Sequence, residues 1–375
     1  MRPEAAIAWY ALPMLAAAMA GPLHAEDRVL RGSIGPYPVV MELDADGDEA
    51  FGTYFYEKYR QDIPLRGKST QAGIALSSAA YDDDEARADH FVLVADGDGF
   101  KGRFVHGKGK PLPVELHPVA PGSVPDPRPD LALHAPLPDY ERLRLAGLRF
   151  LPGKEETVGG KYRIQWLTEP LSGIAMFHVV AGYPETAMAA INRVVDRDFY
   201  GNLSQHFGCA DGEGGSGDES TEVSSHYLDA RFVSYAVSSS WSCYGAAHPD
   251  FGVAGTTIDA RTGRELALED VYFLGTGAAP AEDSDAWYAY RDDVFSPAVV
   301  ALFQRLYPDR MKPNGEDECD YADPSVWAFA PWHLTDRGLY LGAYFARVAR
   351  ACDNPEWSFV PYGELQKNNP ALFKP

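Results

Sequence analysis

Two residues of this chain have the types and spacing for proton transfer. His248 and Asp250 flank Pro249 in the segment Tyr244-Gly245-Ala246-Ala247-His248-Pro249-Asp250. A carboxylate beside an imidazole is the pair that orients a general base. A structural reading competes with it: Gly245, Ala246 and Ala247 make a tight turn, and His248 bonds backbone carbonyls to hold its shape. Ligand recognition, with Tyr244, Gly245, His248 and Asp250 as contacts, ranks ahead of catalysis.

Other chemistry finds little support. There is no G-x-S-x-G elbow, and Gly214-Gly215-Ser216-Gly217 is an acidic, flexible-looking loop with the wrong flanks. Metal motifs of the H-x-x-x-H and H-E-x-x-H kinds are missing. Asp44-Ala45-Asp46-Gly47-Asp48-Glu49 has the look of a calcium loop, but Glu49 stands where an EF-hand needs glycine and Phe55 where it needs the closing glutamate. It reads as a hairpin turn. No pair of acids can be selected for glycoside cleavage from so many, and no glycine-rich phosphate loop occurs. Gly252 and Gly255 fall in a strand, where glycine permits close packing or a bulge. No cofactor or metal is expected.

The four cysteines, Cys209, Cys243, Cys319 and Cys352, lack C-x-x-C spacing. Zinc and thioredoxin-like sites are therefore disfavoured, and two disulfides are expected in an oxidising compartment. Of three possible pairings, Cys209–Cys243 with Cys319–Cys352 is preferred. Each joins neighbouring elements without crossing, and each closes a loop worth about 3–4 kcal/mol in the chain-entropy model.

The elements that must position these residues are legible in outline. From Phe232 to Cys243, Val233, Tyr235, Val237, Trp241 and Cys243 alternate with Ser234, Ser238, Ser240 and Ser242, so one face is expected buried and the other wet. Before it, Thr186–Phe207 repeats Met188, Ile191, Val194, Val195, Phe199 and Leu203 at helical steps. Ser296–Leu306 reads as a second helix. Tyr162–Trp166 and Ala175–Val180 read as strands, and Trp327–Leu334 with Leu339–Val348 as a hairpin. The domain from 140 to 375 is thus expected to be α+β, with an antiparallel sheet and two main helices on one face. Residues 26–117 carry eight short strand-like runs with turns such as Asp96-Gly97-Asp98-Gly99, which suggests an all-β meander or small barrel. Between them, residues 118–139 hold seven prolines, from Pro118 to Pro138, a semi-rigid linker.

Residues 1–25 read as a signal peptide: Arg2, an apolar run from Ala5 to Gly21 broken by Pro13, and cleavage after Ala25. No cysteine is near for lipid attachment, and the run is short for a bilayer. The chain is expected to be periplasmic or secreted, with no membrane span after signal removal. A formal charge of −21 argues against nucleic acid and anionic membranes as partners. Its acids cluster at 82–85, 211–219, 282–285 and 316–323 and are expected to be solvated loops; such a surface attracts a cationic protein.

Tyr244-Gly245-Ala246-Ala247-His248-Pro249 resembles the Gly-Gly-Ala-His-Pro turn of the RsiV-like C-terminal domain family of bacterial envelope proteins. Ile258–Val271, containing Asp259, Thr262-Gly263 and Asp270-Val271, is similar to the family's return strand. Leu334–Leu339 and Val360-Pro361-Tyr362-Gly363-Glu364-Leu365 are similar to its closing hairpin and tail, and Ala190-Ile191-Asn192 to its Ile-Asn helix. The resemblance covers about residues 161–367. Ala246 stands where the family has its second glycine, which requires a negative φ there. The segments Gly32–Val39 and Gly52–Tyr56 are similar to a β-rich module of exported proteins. In that family the domain occurs in an anti-sigma factor that senses lysozyme and beside a peptidoglycan deacetylase domain. The resemblance implies a non-catalytic envelope-binding or sensing protein that recognises a cell-wall component, such as a peptidoglycan fragment, or a basic protein such as lysozyme. The alternatives are a cell-wall hydrolase using His248 and Asp250, and an accessory subunit of another envelope protein.

Overall fold

The computed structural model describes residues 28–45, 47–78, 88–131, 136–210, 217–312 and 319–373. The signal-like segment and most of the acidic runs at 82–85, 211–219 and 316–323 lie outside those residues. Eight strands open the described chain: β1 (Arg28–Ile34), β2 (Tyr37–Asp44), β3 (Glu49–Tyr56), β4 (Ile63–Thr70), β5 (Gly73–Ser77), β6 (Asp89–Asp96), β7 (Gly99–His106) and β8 (Leu112–Pro118). Each is antiparallel to the next, and β8 returns to β1 with Gly32 opposite Leu116, closing a barrel. Alternation places Leu30, Met41, Tyr54, Leu65, Phe91 and Leu116 inside, while Arg31, Lys68, Lys101, Arg103 and Glu115 face outward. An apolar interior with a charged exterior is the reverse of a membrane-spanning barrel. Gly32 is required by closure itself, since a Cβ there would lie 1.8 Å from the Glu115 carbonyl oxygen.

The described residues of the proline-rich segment are laid against the rest of the molecule. Val119 N–H donates to the Val29 carbonyl, Val124 and Leu131 are buried, and Arg128 pairs with Asp196 at 2.8 Å. It leads into helix α1 (Asp139–Leu145). Tyr140 of α1 packs on Val40 and Phe55, two outward-pointing barrel residues. That contact explains why Val40 is buried between the inward-facing Val39 and Met41.

The remainder is mixed α+β. Strands β9 (Leu151–Val158), β10 (Tyr162–Thr168) and β11 (Ala175–Ala181) form one sheet. Helix α2 (Glu185–Gly208) follows, and then β12 (Asp218–Leu228), β13 (Phe232–Ser242), β14 (Asp250–Asp259) and β15 (Arg264–Glu265) form a second sheet. Ile191, Val195, Phe199 and Leu203 of α2 share a core with Ile164, Phe177, Val233 and Tyr235. Each such fully buried side chain contributes about 1.5–3 kcal/mol. Short helices α3 (Leu268–Val271) and α4 (Asp285–Tyr290) precede a π-turn at Arg291–Phe295 and helix α5 (Ser296–Leu306). Helix α6 (Ser325–Ala328), strands β16 (Trp332–Thr335), β17 (Gly338–Leu341) and β18 (Phe359–Pro361), and helix α7 (Tyr362–Asn368) complete the chain. Trp327, Phe303, Leu334, Leu339 and Val360 fill this second core. No helix among the described residues is long and apolar enough to cross a membrane.

Three expectations require correction. The second face of β13 is not wet near its start: Phe232 through Val237 are all buried, because β16 packs across that face. Ser234 is accommodated there by bonding Thr257 Oγ1 at 2.7 Å and accepting the Leu334 N–H at 2.9 Å. The C-terminal hairpin is shorter than expected, since Trp327 belongs to α6 and β17 ends at Leu341. Glu219, assigned to a solvated acidic loop, is the second residue of β12, with its side chain 2% exposed and paired with His206 at 2.5 Å. Burial pushes its carboxyl up, but hydrogen bonds from His206 and Thr221 outweigh that and hold it below the ordinary value.

Candidate functional site

The turn between β13 and β14 is built by one glycine. Ala246 N–H donates to the Cys243 carbonyl at 3.1 Å, and Gly245 carries a φ of +82°. That is the geometry of a type II turn, whose third residue must tolerate positive φ. Ala246 is not among the positive-φ residues, so the alanine at this place is unstrained. Disulfide Cys209–Cys243 pins the turn to the end of α2, and Cys319–Cys352 holds the second core; these are the expected pairs. Tyr244 reaches the barrel, where its hydroxyl accepts a hydrogen bond from Arg66 of β4.

His248 and Asp250 are not brought together. His248 is exposed, and among the described residues neither a carbonyl nor a carboxylate bonds its ring. Asp250 turns instead to Arg350 at 3.2 Å and Arg347 at 3.5 Å. Arg347 also donates to the Pro249 carbonyl at 3.0 Å. The oriented general base therefore does not form, and neither does the carbonyl-bonded histidine of the structural reading. Among the described residues no three His, Cys, Asp or Glu side chains cluster as metal ligands.

What Asp250 does line is a groove of about 350 Å³, together with Trp241, Phe251, Phe329, Tyr344 and Arg350. The Arg350 guanidinium lies between two rings, 4.9 Å from Phe251 and 4.7 Å from Tyr344. Its Nε donates to Asp353 at 2.5 Å, and its backbone contact is to the Phe251 carbonyl. The groove's wall continues along the surface, with Phe329 5.5 Å from Trp287 and 5.7 Å from Tyr288. Beneath, Trp287 donates to Glu269 at 3.0 Å and stacks on Arg291, which pairs with Glu269 at 2.7 Å. The π-turn at Arg291 thus supplies a fixed platform for the stripe, and π-turns concentrate at functional sites.

Phe251, Tyr288, Phe329 and Tyr344 remain 40–53% exposed. A stripe of this kind is unusual on a water-facing surface. Glu282, Asp283, Asp285, Asp292 and Asp293 are exposed beside its Tyr288 end. Of the four residues read as ligand contacts, Asp250 is in the groove, His248 stands on the loop above it, and Tyr244 and Gly245 serve the turn and the barrel contact. The aromatic stripe and Arg350 were missed. Trp327-Ala328-Phe329 looks like strand alternation, and nothing in the spacing of 250, 329, 344 and 350 announces their meeting.

No protein-family model matches the chain, and no curated protein is detectably similar to it.

Proposed function

We propose that residues 161–367 are an RsiV-like domain and that the chain is an exported, non-catalytic envelope protein that binds a basic protein or a cell-wall fragment. The observation that carries this reading is the half-exposed aromatic stripe running into the Asp250–Arg350 groove. Rigid aromatic rings supply contact area at low entropic cost, and the acids beside them select a cationic surface. The net charge of −21 would steer such a partner from a distance. Two disulfides fit an oxidising, extracytoplasmic setting.

The test uses the full chain against peptidoglycan and a basic lysozyme as separate baits. Binding to either is expected, and Phe329→Ala with Tyr344→Ala should weaken it at least about tenfold, the effect of losing about 1.4 kcal/mol of anchor contact. Lysozyme binding should also fall with salt. Failure to retain either bait at low salt, or binding untouched by the double substitution, overturns the reading.

A further inference from the structure

A second cavity, of about 440 Å³, opens between α1, α2 and the β13–β14 sheet. It lies on the opposite face of β13 from β16, and it shares no lining residue with the aromatic groove. One end is apolar, walled by Leu137, Leu145, Val237 and Ala254. The other end is a charged cluster. Asp198 Oδ1 accepts two hydrogen bonds from Arg197, at 2.6 and 2.8 Å, and Oδ2 accepts from the Tyr235 and Thr256 hydroxyls at 2.6 and 2.8 Å. Asp198 is therefore saturated. Glu265 is not: it takes Arg197 at 2.5 and 3.2 Å yet keeps 39% of its side chain exposed. Two carboxylates thus face one guanidinium, and the accessible one carries the excess negative charge.

Glu265 is held in place by the Thr-Gly return. Gly263 has φ +72°, and a Cβ there would lie 2.2 Å from Ala190 Cβ, so β15 is pressed directly on α2. The cavity's mouth shows the complementary feature. Gly201 stands inside α2 without a positive φ, and a Cβ there would meet nothing within 4 Å. Neither sterics nor backbone geometry calls for glycine, and glycine in a helix interior is destabilising relative to alanine. What its small size does is leave the mouth open.

We infer that this cleft is a small-molecule site for an amphipathic aliphatic amine, whose ammonium pairs with Glu265 and whose chain lies over Leu137, Leu145 and Val237. Apolar walls with a few convergent polar groups are the usual composition of such sites. An anion is disfavoured because Arg197 already gives its donors to Asp198 and Glu265. The inference stands apart from the envelope reading, which concerns the other groove.

The test is calorimetric titration of the full chain with n-hexylamine, n-hexanol and hexanoate. Hexylamine should bind at about 1 mM or tighter, within the affinity ceiling for so small a ligand, and hexanoate should not bind. Glu265→Gln should weaken hexylamine about tenfold, toward hexanol. Gly201→Leu should abolish binding while leaving Tm unchanged or raised, which separates occlusion from unfolding. Equal binding of hexanoate and hexylamine, no heat from any probe, or binding intact in Gly201→Leu overturns the inference.

Discussion

His333 shows how one side chain sets a pH limit. It is buried on β16, its Nδ1 has no hydrogen-bond partner among the described residues, and its ring lies 5.0 Å from that of Tyr340. Burial pulls its pKa down from the ordinary 6.5 to about 4. Between those values the unfolded chain takes up a proton that the folded one refuses. Stability is therefore complete above about pH 6.5 and falls as pH drops toward 4. At about 1.4 kcal/mol per pH unit the loss amounts to about 3 kcal/mol. Denaturant titrations from pH 4 to 7 should show His333→Leu flattening that slope; an unchanged slope would refute the assignment. Nothing in the sequence separates His333 from His248, since the burial that distinguishes them comes from a sheet packed across the chain.

At the scale of elements, β13 and β14 are covered on both faces near one end and open at the other. The difference is written in two glycines. A Cβ on Gly255 would lie 1.9 Å from the Trp332 carbonyl oxygen of β16, whereas one on Gly252 would meet only the Trp241 ring at 3.9 Å. Gly255→Ala should force the two sheets apart and cost about 1–3 kcal/mol or more. Gly252→Ala should change stability by less than about 0.5 kcal/mol. Equal midpoints for the two variants in urea would contradict this packing. Close packing at these glycines is legible from a strand that contains them; which one meets a neighbour is not. Helix α2 was legible because its apolar period is long. Helix α1, with seven residues behind Pro138, and β12, rich in serine and acid, carry too weak a pattern.

The whole molecule is joined by charge buried at the junction of barrel and α+β unit. Arg144 of α1, 3% exposed, pairs with Asp62 at 2.8 Å and stacks on Tyr140 and Phe55. Tyr140 donates to the same carboxylate at 2.7 Å, and Asp62 N–H donates to the Phe207 carbonyl at the end of α2. Burial raises the Asp62 pKa, with Arg144 opposing. Asp62→Ala leaves the buried guanidinium with Glu141, at 3.2 Å, as the remaining one of two carboxylates, which costs about 3 kcal/mol, the lower end for a broken buried pair. Calorimetry should then resolve two transitions where the native chain should show one. A single transition at unchanged Tm would show that the units are held by other means.

Local pattern alone determined the strands of the barrel, the long helix and the turn at Gly245, and it favoured one disulfide pairing of three, because each depends on alternation, helical period, loop crossing or the φ that glycine allows. Tertiary structure alone decided that the proline-rich segment lies docked, that the first half of β13 is buried on both sides, and that Asp250 faces Arg347 and Arg350 instead of His248. It also decided where the aromatic stripe and the Glu265 cleft are. Those sites join residues up to 128 positions apart, from Leu137 to Glu265, and partners at such distances are selected by packing, which leaves no periodic trace in the chain.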